Sequence, residues 1–229
     1  MMARRGVLGV LAGGAAALLS GCGLFGGNSY RFRMTVEVET PQGLKTGSSV
    51  YTVRGFGTSD LMTGGTSSDS ELKGEAVVVN LGGGKMLFAL LRMANGTTSD
   101  DNLAIMSMRA MDPAYANNKK DSAQRIASGS GITSPAEVAP EDYPLLVTFA
   151  DIKDPTSVTR VDPANLAASF GPGVRLKRIV VEVTDDDVTA GIEERLGWLF
   201  DPNRKRISPD KKPKGIPLGN YDSLFSTRR

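Results

Sequence analysis

The chain has 229 residues, 40% of them hydrophobic, with 27 Lys and Arg against 25 Asp and Glu. That balance is globular rather than disordered and too nearly neutral for a dedicated nucleic-acid binder. The absence of histidine excludes Ser-His-Asp and Cys-His nucleophile pairs, histidine general bases and nearly all zinc sites, so carboxylates, Lys, Tyr, Ser and Thr are left for chemistry.

At the N-terminus, Arg4 and Arg5 form a short positive head, and a run of 13 apolar or small residues follows, Val7 to Leu19. Small residues then lead into Cys22, the single cysteine. This is the order of a secretory signal peptide, and the run is too short to cross roughly 30 Å of hydrocarbon. Leu19-Ser20-Gly21-Cys22 resembles the lipobox of bacterial lipoproteins. The resemblance implies that the Cys22 thiol receives a diacylglycerol, that the chain is cut before it, and that the new amine is acylated. Small residues at 20 and 21 suit a peptidase cleft, and a thiolate is the strongest nucleophile among ordinary side chains. The alternatives are a buried free cysteine behind an ordinary signal peptide and, for Arg4-Arg5, a twin-arginine export signal. One acyl chain binds a membrane marginally, whereas the three of a lipoprotein anchor stably. Gly23 follows the cysteine where an aspartate would favour the inner membrane, so the same analogy points to the outer membrane, facing the periplasm. With no second cysteine, stability must come from the core rather than from a disulfide.

Residues 23–29 are Gly-rich and read as a tether. In YRFRMTVEVET, Tyr30, Phe32, Met34, Val36 and Val38 alternate with polar residues, which predicts a half-buried strand. PQGLKTG turns, SSVYTVRG returns as the hairpin partner, and FGTSDLMTGGTSSDS reads as a loop. GEAVVVNLGGGKMLFALLR predicts a second hairpin. Its continuous apolar runs imply cover on both faces and a central place in the sheet. LAIMSMRA reads as a further strand, and Asp112-Pro113 as the cap and first turn of a helix reaching Ser128. LLVTFADI and part of KDPTSVTRV predict strands. Asp162-Pro163 opens a helix that Gly171-Pro172 closes. In VRLKRIVVEV the apolar parity changes after Leu176, which predicts a β-bulge at Lys177-Arg178. Thr189 to Leu199 reads as a short helix with Ile192, Leu196 and Leu199 on one stripe.

These elements give an α+β domain over 30–199, a largely antiparallel sheet built from hairpins with a few short helices on one face. Before it come a signal peptide, 1–21, and the lipidated cysteine with its tether, 22–29. After it comes a basic, Pro-rich extension, 200–229. That extension holds eight basic and three acidic residues, and 23–199 holds 17 basic and 22 acidic, so a basic tail follows an acidic body. Either the tail lies back on the body through Ile216, Leu218, Tyr221, Leu224 and Phe225, or it reaches an anionic surface such as lipid headgroups or cell-wall polymer. FGPGVRLKRIVVEVTDDDVTAGIEERLGWL and YRFRMTVEVETPQGLKTGSSV resemble a family of uncharacterised bacterial envelope proteins. The resemblance implies a shared fold and brings no activity, ligand or catalytic residue.

Several fragments imitate catalytic motifs. Ser70-Glu71-Leu72-Lys73 fits S-x-x-K and Lys45-Thr46-Gly47 fits K-T-G, but their order is reversed relative to serine β-lactamases, and S-D-N is missing. Leu81-Gly82-Gly83-Gly84-Lys85 lacks the phosphate-loop spacing and reads as a hairpin turn. Asp185-Asp186-Asp187 reads as stabilising the next helix's N-terminus rather than holding calcium, because consecutive carboxylates on an extended chain point apart. Glu37, Glu39, Glu75 and Glu182 read as polar strand faces, with a converging acid/base pair as the alternative. The expectation is therefore a lipid-anchored envelope protein that binds or assembles without catalysis, and needs no cofactor or metal. Its partners would be the membrane through acylated Cys22 and an envelope protein or anionic cell-wall polymer, not nucleic acid. A carboxylate-dependent hydrolase acting on cell-wall glycan is the alternative.

Overall fold

The alternation at residues 30–38 becomes strand β1 (Ser29–Thr40), whose Phe32, Met34, Val36 and Val38 are fully buried. The computed structural model describes residues 28–59, 66–96, 102–208, 216 and 221–227. A two-residue turn at Pro41-Gln42 returns the chain as β2 (Gly43–Ser59), in unbroken antiparallel register from Thr40↔Gly43 to Ser29↔Arg54. Strands β3 (Thr66–Lys73), β4 (Val77–Gly82) and β5 (Lys85–Met93) follow. Helices α1 (Leu103–Met111) and α2 (Lys119–Ser128) come next, then β6 (Ala136–Glu137), β7 (Pro144–Phe149) and β8 (Val158–Arg160). A single turn, α3 (Ala167–Phe170), leads into β9 (Arg175–Val183).

The chain is an α+β fold with two antiparallel sheets where the sequence suggested one. The first runs β3-β2-β1-β9-β6 and the second β4-β5-β7-β8. The inner face of the first sheet is covered along its length by two layers. Helices α1 and α2 pack on the end near Ser29, and the second sheet packs on the end near Thr40. Two glycines of β2 permit this approach. A Cβ on Gly55 would lie 2.5 Å from the Lys119 carbonyl oxygen of α2, and one on Gly47 would lie 2.2 Å from that of Val78 in β4.

The apolar runs of β4 and β5 are covered on both faces, as their composition predicts. Val77, Val79, Leu87, Ala89 and Leu91 face the first core, and Phe88 and Leu90 face a second. They do not lie at the centre of one large sheet. β5 is interior to the second sheet and β4 is one of its two edges. The second core is closed by the C-terminal part of the chain, in which Leu196, Leu199, Ile216 and Phe225 are fully buried and Ile192, Trp198, Tyr221 and Leu224 nearly so. Four of the five expected tail anchors are thus packed on the body, and Leu218 lies outside the described residues.

Other elements depart from expectation for identifiable reasons. LAIMSMRA is helix, not strand. Asn102 Oδ1 accepts the Ala104 N–H at 2.8 Å as a cap, and burial on nearly every side erases the helical period from the sequence. Asp112-Pro113 ends α1 instead of opening α2. The cap of α2 is Asn118, whose Oδ1 accepts from Asp121 N, and Gly129 in the left-handed region closes it at φ 69°. The segment read as a loop at 56–70 includes the end of β2 and most of β3, an edge strand of Ser, Thr and Asp with little apolar content to announce it. The helix expected from Asp162 shrinks to α3. Thr189–Leu199 is not an α-helix and contains a 3-10 turn at Ile192–Glu194, although its three stripe residues are buried.

Candidate functional site

The outer face of the first sheet carries the densest charge chemistry. Thr35, Glu37 and Glu39 point outward from β1 between the buried residues. Opposite them on β9 the register reads Glu37↔Arg178, then Val38↔Leu176, so Lys177 is the extra residue of a bulge. The bulge keeps Leu176 and Ile179 on the apolar side and brings Lys177 and Arg178 to the same carboxylate. Lys177 Nζ lies 3.1 Å from Glu37, and Arg178 donates from Nε at 3.0 Å and Nη2 at 2.9 Å. The Arg178 hydrogen bonds, with Lys177 beside them, hold the Glu37 carboxyl below its ordinary range. Arg175 pairs with Glu39 one step along. On the other side of β1 the face continues through exposed Leu44, Thr46 and Ser48 of β2.

The half of this face near Ser29 is occupied by the segment that leaves β9. Arg31 Nη1 donates to the carbonyls of Asp185 and Asp186, both at 3.0 Å, and lies 3.4 Å from Asp187 Oδ1. Arg33 pairs with Glu182 at 2.7 Å and also with Asp186. The aspartate run therefore answers two arginines of β1 rather than a helix N-terminus. Among the described residues no group of three or more His, Cys, Asp and Glu could hold a metal ion. The segment then crosses to β2, where Thr189 N donates to Val50 O at 3.1 Å and Val50 N donates to Thr189 Oγ1 at 2.9 Å. It ends at Glu75, a carboxylate only 1% exposed, whose Oε2 accepts the Ile192 N–H at 2.8 Å and whose Oε1 accepts from Ser226 Oγ at 3.3 Å.

The Val50 bonds fix the phase of the β2 edge. Because Val50 turns its backbone groups away from β1, the even-numbered positions toward the hairpin turn do the same in this unbroken register. Thr52 and beyond pair with β3, and Val50 meets Thr189. Leu44, Thr46 and Ser48 have no backbone partner there among the described residues. The exposed face thus adjoins an open strand edge.

The imitations of catalytic motifs dissolve in this frame. Ser70 and Lys73 sit on strand β3, where positions three apart face opposite sides, and Lys73 pairs with Glu71 at 3.5 Å. Gly47 is the close-packing glycine of β2. Gly82, Gly83 and Gly84 form the β4–β5 turn with positive φ, and Lys85 Nζ donates to Phe170 O at 2.8 Å. Of the four glutamates, Glu37, Glu39 and Glu182 are each matched by cations on the outer face, and Glu75 joins three chain segments in the interior. Leu19, Ser20, Gly21 and Cys22 lie outside the described residues. Sequence reasoning missed the crossing segment and the open edge, because neither leaves a hydrophobic period. No family model, no curated protein and no solved structure matches this chain.

Proposed function

We propose that this chain is a lipid-anchored bacterial envelope protein that acts by binding, tethered through Cys22 at the periplasmic side of the outer membrane. The lipobox Leu19-Ser20-Gly21-Cys22 supports the placement. The binding reading is carried by one observation: among the described residues nothing covers the outer face of β1, β2 and β9 beyond the crossing segment, while both faces of the second sheet carry buried apolar residues. A polar, ion-paired face beside an open strand edge suits a protein or a charged cell-wall polymer that exchanges hydrogen bonds and charges for those present. It suits a buried small molecule poorly.

Two measurements test the parts separately. Metabolic labelling with an alkyne fatty acid marks the wild type and fails on Cys22→Ala; label retained by Cys22→Ala sinks the lipobox assignment. A photo-crosslinking residue at Thr46, in cells making the anchored protein, captures adducts that the same residue at Asn80 on β4 does not. Equal capture at both positions refutes the outer face as the docking surface.

A further inference from the structure

The edge of β2 that faces away from β1 has three neighbours in turn. From Thr52 onward it pairs with β3, in the register Thr52↔Lys73 to Ser59↔Thr66. At Val50 it meets the crossing segment, whose Thr189 donates its N–H to the Val50 carbonyl and accepts the Val50 N–H on its hydroxyl. From Ser48 to Leu44 it meets nothing among the described residues, so the N–H and C=O groups of Leu44, Thr46 and Ser48 stand open in a row. Thr189 bounds this stretch at one end and the Pro41-Gln42 turn at the other. At about 3.3 Å per residue it runs for roughly 17 Å, the length of one short strand.

The side chains along the stretch describe its guest. An open edge takes an added strand through main-chain hydrogen bonds, and alternate side chains set the preference. Every strand pairing in both sheets is antiparallel. An antiparallel guest forms hydrogen-bonded pairs with Leu44, Thr46 and Ser48, and non-hydrogen-bonded pairs, where side chains stand closest, with Lys45 and Gly47. Leu44 lies on the outer face and is 49% exposed, so an apolar residue opposite it removes apolar surface from water. Lys45 lies on the inner face, opposite Val38, and makes no ion pair among the described residues. A carboxylate opposite it supplies the missing charge. Gly47 favours a small neighbour, because β4 passes beneath it. A second copy of the chain is a poor guest. Pairing about a two-fold axis at Thr46 puts two copies of Lys45 on one face as diagonal neighbours with no acid between them, and an axis at Lys45 puts them directly opposite.

We propose that the β2 edge from Leu44 to Ser48 binds an extended segment of another protein as an added antiparallel strand, with a carboxylate against Lys45 and an apolar side chain beside Leu44. This rests on the outer face being a docking surface. The test uses the full chain as cells process it, isotope-labelled for amide spectra in detergent micelles, and the end-blocked hexapeptide TAVELT. In antiparallel register its leucine stands opposite Leu44, its glutamate opposite Lys45 and its valine opposite Thr46. The amide signals of Leu44, Thr46 and Ser48 shift and saturate as the peptide is added. N-methylation of the peptide's valine, whose N–H faces β2, abolishes the shifts, and N-methylation of its glutamate, whose N–H faces away, leaves them. The peptide TAVKLT binds the wild type about fivefold more weakly, and Lys45→Glu reverses the preference. The peptide exchange is read on the wild type, so it stands even where the variant fails to fold. Shifts that ignore which amide is methylated, or no shifts, overturn strand addition. Shifts at the same three amides that grow with protein concentration in the absence of peptide assign the edge to a second copy and overturn it as well. An unmoved edge together with continued photo-capture at Thr46 overturns strand addition alone, and loss of both removes the docking surface on which it rests.

Discussion

Gly47 and Gly55 show how much of the architecture rests on single positions. Each sits on the inner face of β2 where another backbone approaches, so a methyl group has no room to enter. Gly47→Ala must push β4 away, and Gly55→Ala must push α2. Overpacking of this kind typically costs about 1–3 kcal/mol, and contacts against backbone fall at the upper end because no side chain can turn aside. Gly57→Ala on the same strand meets nothing closer than 3.9 Å and serves as the control. Thermal melting should show large losses for the first two and little change for the third. Glu37 makes a different kind of prediction. Its folded pKa lies below 4.5, so its pairing with Lys177 and Arg178 stabilises the fold above that pH and is lost as pH falls through the depressed value. Glu37→Gln removes this dependence. The Tm of the wild type should therefore fall more steeply below pH 4.5 than that of Glu37→Gln, and parallel curves would refute the assigned pairing.

At the level of elements, a helix that reads as a strand depends on its cap. Asn102→Ala leaves the Ala104 N–H without its acceptor at the start of α1 and should cost about 1 kcal/mol. A Tm unchanged from wild type would mean that burial alone holds the helix. The same element explains where sequence reading succeeds. β1 was legible because one of its faces meets polar surroundings, and the alternation survives. The bulge at Lys177 was legible because the parity of apolar residues breaks there and the register must absorb it. α1 was not legible, since Leu103 to Met108 are all buried and no polar face marks the period. β3 failed for the opposite reason, having almost no apolar residues to alternate. The outer-face glutamates were read correctly as polar strand residues, but their partners were hidden: only the pairing of β1 with β9, 141 residues apart in sequence, brings Arg178 to Glu37. Glu75 looked like its neighbours in the sequence and proved to be a buried junction.

At the scale of the whole molecule, the last strand of the first sheet is not the end of the fold. The chain from Ile192 onward covers a sheet face that would otherwise expose Phe88, Leu90 and Val147. The final described segment supplies the densest contact. Phe225 is fully buried, with ring centres of Tyr221, Trp198, Phe149 and Phe88 at 5.3, 5.7, 6.0 and 6.3 Å. Its backbone accepts from Ala76 N at 2.8 Å, and Ser226 beside it bonds to Glu75. Two ion pairs, Arg204–Asp222 and Lys205–Asp154, both at 2.9 Å, tie down the approach. The Thr156 hydroxyl and then Lys205 hold the Asp154 carboxyl down at about 2, so this second pair persists through mildly acidic conditions. The burial of Phe225 among four rings is the larger expected contribution, because ion pairs near the surface add little. Phe225→Ala opens a cavity among four rings and should cost about 3–5 kcal/mol, close to the cost of losing a central core aromatic. The same variant should be cleaved faster by trypsin after Arg206, because a loosened C-terminal segment frees the chain that leads to it. If the Tm of Phe225→Ala equals that of the wild type while cleavage after Arg206 is rapid in both, the segment is undocked in solution, and its basic residues are free for an anionic surface instead.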